Sequence, residues 1–452
     1  MYMSGNNNDR KDMLKKLWSA IEAHESEILE ALNKDLGKPE AEALLHEIYP
    51  LKKEIQFAIK NLRDWTGKRF VSTPLSMMGT RHYVKAEPKG RVLIISPWNF
   101  PVMLTLRPLV GALASGNSVV VKPSEHTPFT SDVLKKLLGS VFDDDLVKVE
   151  LGGPEVAAGL TATPFNHICF TGGTNIGRLV MTAAAKHLCS VTLELGGKSP
   201  VIVDKSANLK NVAMKVAWGK YLNAGQVCIA PDHLLVEKSI AEDVVANISE
   251  RITEMFGQTP IDSPDLGKIV NVNHYERILK LVKDAVKDGA KLHVPGGVLE
   301  LGAKTRKISP CILTGCTSDM AIMKEEIFGP VLPVLTWDKK EDVVDIIAKN
   351  PHPLALYIFS NNKNLQDWFI NNTKAGSTAI NEVVIQVANP DLPFGGIQTS
   401  GMGRSAGKAG FDSFSNLRSF VIQTTPFSAL PLTFPPFKGR GLRFSRLVRK
   451  WL

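Results

Sequence analysis

The sequence has no apolar run long enough to cross a bilayer as a helix, and its first ten residues are polar and rich in asparagine. A secretory signal peptide needs an apolar core at this end, so we expect a cytoplasmic protein. Cysteine is scarce, and none of the five cysteines in 452 residues has the CxxC spacing of structural metal sites. We therefore expect no metal, and reduced thiols, at Cys169, Cys189, Cys228, Cys311 and Cys316.

Acidic residues are absent from the end of the chain. Residues 424–452 contain six Lys or Arg and no Asp or Glu, while the other 423 residues hold 48 basic and 45 acidic residues. The net charge of +9 is therefore only +3 outside this tail. Because no general basic face is indicated, we expect no nucleic-acid partner.

The tail combines proline with a short amphipathic pattern. Four prolines, the last at Pro436, prevent a long helix before Lys438. Beyond Gly441, apolar residues fall on one helical face and basic residues cover the rest, as in helices that lie on anionic membranes. We expect a basic amphipathic tail at 424–452, for which peripheral membrane contact is one possibility; docking on its own or a partner subunit, or disorder, is the more common explanation. The apolar residues are Phe444, Leu447, Val448 and Trp451.

The glycine fingerprint GxGxxG is missing after the first predicted strand, yet the order of elements predicts an α/β fold. From Arg91 onward, short β-branched runs alternate with helical stretches, which is typical of a doubly wound parallel sheet. A second α/β unit begins after Gly197. Such sheets bind ligands at the carboxyl ends of their strands. The predicted strands are 91–96, 118–122, 147–151, 167–171 and 190–195, followed by 199–204, 234–237, 331–337, 355–359 and 378–381.

Two helical stretches and an irregular hairpin precede these units. Apolar residues recur at helical spacing from Leu14 to Leu32 and again from Leu44 to Leu62, which predicts two helices separated by Gly37 and Pro39. Alternation and turn residues between Phe70 and Pro88 predict the hairpin.

Three residues could share one reaction centre. Cys228 follows a glycine, which leaves room for a small substrate, and a thiolate there would be a nucleophile. Glu194 ends an apolar run beside two glycines, and Asn99 is an amide in a loop stiffened by two prolines. Taken singly, each has a more common explanation: a buried thiol, a salt-bridge partner and a turn residue.

Two further strand ends suit a nucleotide. Glycines at the start of a helix expose N–H groups at its positive end, which suits a phosphate, and here they are Gly172, Gly173 and Gly177 around Thr174. Lys122 can donate to ribose hydroxyls, and Glu125 can accept from a 2′-hydroxyl while repelling a 2′-phosphate. A glycine turn and a solvated Lys/Glu pair are the ordinary alternatives.

Together and in this order, Asn99, Glu194 and Cys228 resemble the aldehyde dehydrogenase superfamily. The resemblance runs from the first helix to about Gln423. A short N-terminus and the block Phe434-Pro435-Pro436-Phe437 look most like the class 3, fatty-aldehyde type. The implied fold is α/β, with a Rossmann-type NAD(P)-binding domain at 1–66 and 88–196 and an α/β catalytic domain at 197–396. It further implies oligomerisation elements at 67–87, a protruding hairpin, and at 397–423.

The resemblance also implies a reaction, the NAD(P)-dependent oxidation of an aldehyde to its carboxylic acid. Cys228 would form a thiohemiacetal and then a thioester, Asn99 would hold the oxyanion, and Glu194 would be the base for hydrolysis. The implied cofactor ligands are Lys122 and Glu125 at the adenosine ribose, Gly172, Gly173, Thr174 and Gly177 at the pyrophosphate, and Trp98, Glu326 and Phe328 towards the nicotinamide.

The cofactor expected is NAD, with NADP possible, because Glu125 disfavours a 2′-phosphate only weakly in class 3 relatives. The partners expected are a small aldehyde, medium- or long-chain aliphatic or aromatic, and a second subunit in a homodimer. One departure concerns the late active-site segment. Class 3 relatives have an aromatic residue and a His before Gly-Lys, where this chain has Ser405-Ala406-Gly407-Lys408.

Two other functions stay open on the residues alone. Cys228 and Glu194 would also serve a cofactor-independent cysteine esterase or thioesterase, which leaves the nucleotide-type residues unexplained. A non-enzymatic membrane-surface scaffold built on the tail would leave the whole reaction centre unexplained.

Overall fold

The computed structural model describes residues 6–74, 77–426, 431, 434–435 and 439–451. Three β-sheets and the helices between them account for this part of the chain. Its α-helices are α1 (Asn7–Ala23), α2 (Glu25–Leu36), α3 (Glu40–Ala43), α4 (Tyr49–Thr66), α5 (Met103–Ser115), α6 (Pro128–Gly139), α7 (Pro154–Thr161), α8 (Thr174–Ala185), α9 (Leu209–Tyr221), α10 (Ala241–Phe256), α11 (Val272–Lys287), α12 (Lys340–Ala348), α13 (Lys363–Asn372), α14 (Gly407–Ser413) and α15 (Arg440–Trp451).

The β-strands of this part of the chain are β1 (Arg69–Val71), β2 (Thr80–Pro88), β3 (Arg91–Ile95), β4 (Ser118–Lys122), β5 (Val147–Val149), β6 (His167–Gly172), β7 (Ser190–Leu195), β8 (Pro200–Val203), β9 (His233–Glu237), β10 (Lys291–His293), β11 (Cys311–Thr314), β12 (Val331–Trp337), β13 (Ala355–Phe359), β14 (Ser377–Ile380), β15 (Gly401–Met402) and β16 (Ser415–Gln423). Ten strands of the two α/β units correspond to predicted ones, whereas β10, β11 and β15 are additional. The predicted strands are confirmed, with differences of one or two residues at several ends.

A six-stranded sheet in the order β15-β7-β6-β3-β4-β5 forms the first unit. Its last five strands are mutually parallel, and β15 is antiparallel to β7. Alternate residues of β3 face opposite sides: Val92 and Ile94 join the main core, whereas Leu93 and Ile95 join a second cluster. Both faces are therefore covered, which confirms the predicted doubly wound sheet. The parallel strands all end at one edge, where ligands bind such sheets.

The second unit is a seven-stranded sheet in the order β10-β11-β12-β9-β8-β13-β14. Only β10 is antiparallel to its neighbour; the other pairings are parallel. Central strand β13 is buried throughout, as its apolar sequence Ala-Leu-Tyr-Ile-Phe requires. This arrangement confirms the second α/β unit. The domain boundaries given above remain a prediction.

The predicted hairpin is part of a small third sheet. β1 and β2 pair antiparallel, and β16 pairs with β2 along its full length, from Ser415 opposite Pro88 to Gln423 opposite Thr80. Tyr83 stacks on Phe420 with ring centroids 4.6 Å apart. Leu75 and Ser76, within the predicted hairpin, lie outside the described residues.

The N-terminal region differs from the prediction in one respect. The apolar stripe from Leu14 to Leu32 is two helices rather than one, because α1 ends at Ala23, His24 caps it, and α2 begins at Glu25. Helix α2 ends at Gly37, whose φ of +61° is the left-handed conformation that glycine adopts readily. The second stripe is continuous from α3 to α4 through a π-helical turn, Leu44–Ile48. Such a turn inserts an extra residue into a helix and is frequent at functional sites.

The predicted helix of the tail is present as α15. Among its described side chains, Leu442 and Leu447 are exposed. The side chains of Phe444, Val448 and Trp451, which the amphipathic prediction uses, lie outside what is described. None of the helices in the described ranges combines the length and apolar character that a membrane span needs.

Candidate active site

The loop that carries Cys228 has an unusual backbone. It follows α9 as a 3-10 turn, Leu222–Gly225, in which Asn223 and Ala224 have φ values of +50° and +53°. Gly225 also has a positive φ, and a Cβ there would overlap the carbonyl of Gly329. The loop therefore touches a second loop backbone to backbone, which only glycine at 225 permits. Cys228 itself is partly exposed, between buried Val227 and Ile229.

Asn99 is held against the same loop. It follows β3, is buried, and donates from Nδ2 to the carbonyl oxygen of Gln226 at 3.0 Å. The Asn223 side chain donates in turn to the Asn99 carbonyl at 2.8 Å. Because an amide nitrogen carries two N–H groups, the second one of Asn99 is left for a ligand.

Glu194 is a buried carboxyl at the end of β7. Within the described residues, neither of its oxygens accepts a hydrogen bond by distance and angle. Burial raises its pKa to about 8, although Ser405, Arg404 and Arg107 lower it in part. The segment Ser405-Ala406-Gly407-Lys408 is therefore part of the surroundings of Glu194. A carboxyl with this pKa exists in both protonation states near neutral pH.

With these neighbours, the Cys228 side chain is a neutral thiol rather than a thiolate at neutral pH. Its pKa is raised to about 12, first by burial, then by the negative charges of Glu326 and Glu194. Both carboxyl groups thus lie close enough to act on the thiol. Glu326 lies against the Gly196–Gly197 backbone, and burial followed by the charge of Asp232 raises its pKa to about 8. A base must therefore accept the thiol proton before Cys228 can act as a nucleophile.

The residues predicted at an adenosine ribose are adjacent at the end of β4. Lys122 is buried, and its Nζ lies 2.6 Å from Oε2 of Glu125, which is about one third exposed. Partial burial raises the pKa of Glu125, but the hydrogen bond and charge of Lys122 outweigh it, so the net pKa is lowered. Glu125 therefore presents a charged carboxylate to solvent at the ligand-binding edge of the sheet.

The glycines predicted at a pyrophosphate lie where β6 leads into α8. Gly173 is the N-cap residue of α8, with no side-chain cap, and open space surrounds its missing Cβ. The Thr174 hydroxyl donates to the Thr399 carbonyl at 3.1 Å. The free N–H groups at this helix start suit an anion. Gly177 lies one turn later, where a Cβ would meet Leu195 at 2.6 Å, so its small size serves helix–sheet packing.

Trp98, Phe328 and His274 form an aromatic group beside the loops. Trp98 lies 5.3 Å from Phe328, edge to face, and 5.4 Å from His274. Phe328 has a φ of +50°, which is rare for an aromatic residue and marks a backbone held by its surroundings. Burial, followed by the charges of Arg277 and His126, lowers the pKa of His274 to about 4. This group is therefore uncharged at neutral pH.

Sequence reasoning missed the carboxylate that holds the Glu326 loop. Asp232 forms a buried ion pair with Lys198 and accepts from the Ile327 amide at 3.0 Å. Lys198 also donates to the carbonyls of Ile322 and Glu325, each at 2.9 Å. A single Asp after a proline carries no signal of this role, because its partner lies 34 positions earlier in the chain.

Comparison with known proteins identifies the family. The model of the family described as "Aldehyde dehydrogenase family" matches residues 4–420. The chain belongs to the aldehyde dehydrogenase family. Its reaction class is accordingly the NAD(P)-dependent oxidation of an aldehyde, and the esterase alternative receives no support from these matches.

Relatives of the class 3 type are among the most similar aldehyde dehydrogenases. The 4,4′-diaponeurosporen-aldehyde dehydrogenase of Staphylococcus aureus is 44% identical over 431 residues, 95% of this chain and 92% of that protein. Aldehyde dehydrogenase family 3 member H1 of Arabidopsis thaliana is 40% identical over 97% of this chain and 90% of its own length. These relatives confirm the class 3 resemblance.

Solved aldehyde dehydrogenases have the same fold. The substrate-bound S. aureus AldH is 42% identical, with a TM-score of 0.94 over 99% of this chain and 96% of its own. The P. syringae indole-3-acetaldehyde dehydrogenase AldA, in complex with NAD+, is 29% identical, with a TM-score of 0.85 over 93% of this chain and 85% of its own. Both confirm the predicted α/β fold class.

Proposed function

We propose that this protein oxidises an apolar aldehyde through a covalent intermediate on Cys228, with Asn99 holding the oxyanion and Glu194 activating water. The observation that carries the proposal is the hydrogen bond from Asn99 to the Gln226 carbonyl, 3.0 Å long and two residues before Cys228. This bond holds an amide donor against the backbone of the Cys228 loop. Of the two partly exposed cysteines, Cys189 and Cys228, Cys228 is the one whose pKa is raised by two carboxyl groups.

The first step is addition of sulfur to the aldehyde carbon. Glu194 is suited to accept the thiol proton, because its pKa of about 8 makes it a stronger base than an ordinary carboxylate. The thiolate then adds to the carbonyl, and the carbonyl oxygen becomes an oxyanion. The free N–H of Asn99 and the Cys228 amide stabilise that charge; loss of one such donor costs roughly 10²–10³ in rate.

The residues present fit a dinucleotide. Open space at Gly173 beside the start of α8 suits the pyrophosphate, the Lys122–Glu125 pair suits the adenosine ribose, and the ring of Phe328 suits the nicotinamide end. NAD+ held by these residues would supply the hydride acceptor that the thiohemiacetal on Cys228 needs in order to become a thioester. NAD is the expected cofactor, as in the NAD+ complex of the P. syringae relative, and NADP is possible.

Hydrolysis completes the cycle. Glu194 first releases the thiol proton to solvent and is ionised again; it then removes a proton from a water molecule, and the hydroxide adds to the thioester carbon. The tetrahedral intermediate expels the Cys228 thiolate, which takes back a proton, and the acid leaves. The absence of bonds to the Glu194 oxygens, among the described residues, leaves both free for this water.

An exposed apolar side chain near the Cys228 loop supports an apolar substrate. Ile385 is exposed next to Val384, whose amide donates to the Tyr357 hydroxyl, and that hydroxyl donates to the Ile229 carbonyl in the Cys228 loop. The S. aureus relative is named for 4,4′-diaponeurosporen-aldehyde. We expect a medium- or long-chain aliphatic or an aromatic aldehyde.

A cofactor-reduction assay tests the proposal. Purified protein is mixed with NAD, or separately NADP, and aldehydes of increasing chain length, and reduced cofactor is followed by absorbance. Turnover should vanish in Cys228→Ser and persist in Cys189→Ser, since Cys189 is the other partly exposed cysteine and lies away from the site. Equal turnover in Cys228→Ser and the unaltered protein would remove Cys228 from the mechanism.

A homodimer in the cytoplasm is the proposed state. β14 is an edge of the seven-stranded sheet, and β16, an edge of the small sheet, exposes Leu417, Val421 and Ile422. Exposed apolar edge strands invite pairing with another chain. The domain division given in the sequence analysis is proposed with it, with 67–87 and 397–423 as the elements that contact the second subunit.

Peripheral membrane contact through the tail is a separate proposal. Arg443, Arg446 and Arg449 are exposed on α15, as are Leu442 and Leu447. Sedimentation with vesicles of phosphatidylserine and phosphatidylcholine tests it: the full chain should bind, more weakly at high salt, and a chain lacking 424–452 should not. Equal sedimentation of both chains would exclude the tail as the contact.

A further inference from the structure

A fully buried ion pair lies outside the residues assigned to the reaction. Lys38 follows Gly37 in the turn after α2, and Glu47 lies in the π-helical turn. Neither side chain has any exposure, and the Nζ and Oε1 atoms are 2.5 Å apart. A buried pair is weak evidence for stability, because desolvation offsets the attraction and apolar residues of the same size serve as well. Stability alone therefore does not explain why a charged pair is buried at this place.

Both partners hold the loop that carries Asn99. Lys38 donates to the Asn99 carbonyl oxygen at 3.1 Å, and its Nζ lies 4.1 Å from the ring centroid of Phe100. Glu47 uses its second oxygen to accept from the amides of Val102 and Met103, at 2.9 and 3.1 Å. These contacts hold the loop at the Asn99 carbonyl and at the residues that follow it.

The same segment also reaches the loop that carries Cys228. The Asn223 side chain donates to the Asn99 carbonyl at 2.8 Å, so that oxygen is shared with Lys38. Glu42, in α3, accepts from the Asn223 amide at 3.2 Å. One short stretch of the N-terminal region thus contacts both sides of the reaction centre.

We propose that Lys38 and Glu47 are positioning residues that set the direction of the Asn99 amide towards the oxyanion. Lys38 holds the Asn99 carbonyl, and Glu47 holds the Val102 and Met103 amides. The backbone of Asn99 is therefore fixed on its carbonyl side, which restricts the direction of the Asn99 side chain. Oxyanion stabilisation depends on donors held in place before the charge develops, within a fraction of an ångström. The inference rests on the oxyanion role proposed for Asn99.

A double-mutant cycle on the rate tests it. The first measured quantity is the single-turnover rate of cofactor reduction in the holoenzyme, which reports formation of the thioester. Lys38→Met should lower this rate by about tenfold or more, but by less than the roughly 10²–10³ expected for Asn99→Ala, which removes the donor itself. The affinity for NAD, measured by fluorescence titration, should stay unchanged, and so should both quantities in the matched control Lys34→Met, an exposed lysine of α2.

The decisive comparison is made in the Asn99→Ala background. If Lys38 acts through Asn99, adding Lys38→Met to Asn99→Ala lowers the rate no further. Equal losses in both backgrounds, or a Lys38→Met rate like that of the unaltered enzyme, would overturn the proposal. An Asn99→Ala enzyme with an unaltered rate would instead overturn the oxyanion role on which the proposal rests.

A second variant covers a failure of Lys38→Met to fold. Glu47→Gln keeps the volume of the side chain and an oxygen for the Val102 and Met103 amides, and removes only the charge opposite Lys38. Its single-turnover rate should fall in the native background and not in Asn99→Ala. The same rate loss in both would mean that the pair has a structural role alone.

Discussion

The hydroxyl of Tyr357 donates a hydrogen bond to the carbonyl oxygen of Ile229, 2.6 Å away and one residue after Cys228. The hydroxyl oxygen of Tyr357 itself accepts from the Val384 amide at 3.3 Å and from Gln386 Nε2 at 3.2 Å. Tyr357 is fully buried in β13, and burial raises its pKa above the ordinary value, so it remains a donor. One hydroxyl therefore joins the Cys228 loop to the segment that carries Ile385.

Removing this hydroxyl should destabilise the protein. Tyr357→Phe leaves the Ile229 carbonyl and the Val384 amide without their partner in a buried site, so the free energy of unfolding should fall by about 1–3 kcal/mol. Denaturant-induced unfolding measures the change. Tyr49→Phe, at an exposed tyrosine, is the control and should change it by less than about 0.5 kcal/mol. Stability equal to the unaltered protein in Tyr357→Phe would show that water replaces the hydroxyl.

The pH dependence of turnover should report Glu194. Its pKa of about 8 means that the ionised base becomes scarcer as the pH falls below that value. Where thioester hydrolysis limits turnover, kcat should rise about tenfold per pH unit below pH 8 and level off above it. Glu194→Gln should release at most one equivalent of reduced cofactor, more slowly than the unaltered enzyme because the base for the Cys228 thiol is also lost, and then stall at every pH. Steady turnover in Glu194→Gln would refute the role of the base.

The free energy of unfolding should change with pH in the opposite sense to turnover and fall as the pH rises. The folded pKa of Glu194 lies above the ordinary value of 4.5, so between these two values the folded state binds more protons than the unfolded state. Its contribution to the free energy of unfolding therefore falls as pH rises from 4.5 to about 8. Glu194→Gln removes this penalty, so its melting temperature should exceed that of the unaltered protein most clearly above pH 8. A constant difference at all pH values would contradict the raised pKa.

Glu125 should influence the choice of cofactor. Its carboxylate, held by Lys122, would repel the 2′-phosphate of NADP. Glu125→Gln should raise the ratio of kcat/KM for NADP to that for NAD by roughly fivefold, since like charges about 4 Å apart in water repel by about 1 kcal/mol. Steady-state kinetics with both cofactors measures the ratio. Glu27→Gln, which also removes a lysine-paired surface carboxylate, should leave it unchanged.

The exposed face of β16 should control assembly. Leu417 and Val421 are four residues apart in one strand, so they lie on the same face, and both are more than half exposed. Replacing both by lysine should convert a dimer to a monomer, as seen by size-exclusion chromatography with light scattering. Leu301→Lys, at an exposed loop leucine, should leave the mass unchanged. A double variant with the same mass as the unaltered protein would place the interface elsewhere.

Most of the sheet structure could be predicted because parallel strands are buried on both faces. Runs such as Val119 to Val121 must be apolar throughout, and the glycines and prolines between them mark where each strand ends. The break at His24 could not be predicted, because the apolar spacing continues across it. Pairing of β16 with β2 was equally inaccessible, since their residues are more than 300 positions apart in sequence and neither strand specifies its partner.

The proposed reaction centre also contains some residues that could be predicted from the sequence and others that could not. Cys228, Glu194 and Asn99 stand in short stretches with distinctive neighbours, and these could be named in advance. Lys38 and Glu47 could not, because each is an ordinary charged residue whose partner is decided by the folding of distant segments. The pKa values follow from burial, which a pattern of residue types does not specify.

The contact of Gly225 with the Gly329 carbonyl has a mechanical consequence. No side chain lies between the backbone of the Cys228 loop and the backbone of the loop that carries Glu326 and Phe328. A displacement of one loop therefore cannot be taken up by side-chain movement. A shift of either backbone is passed to the other at nearly full amplitude, since packed interiors deform little. Cys228 therefore moves together with Glu326 and Phe328, and the distance between the two loops is set by the main chain.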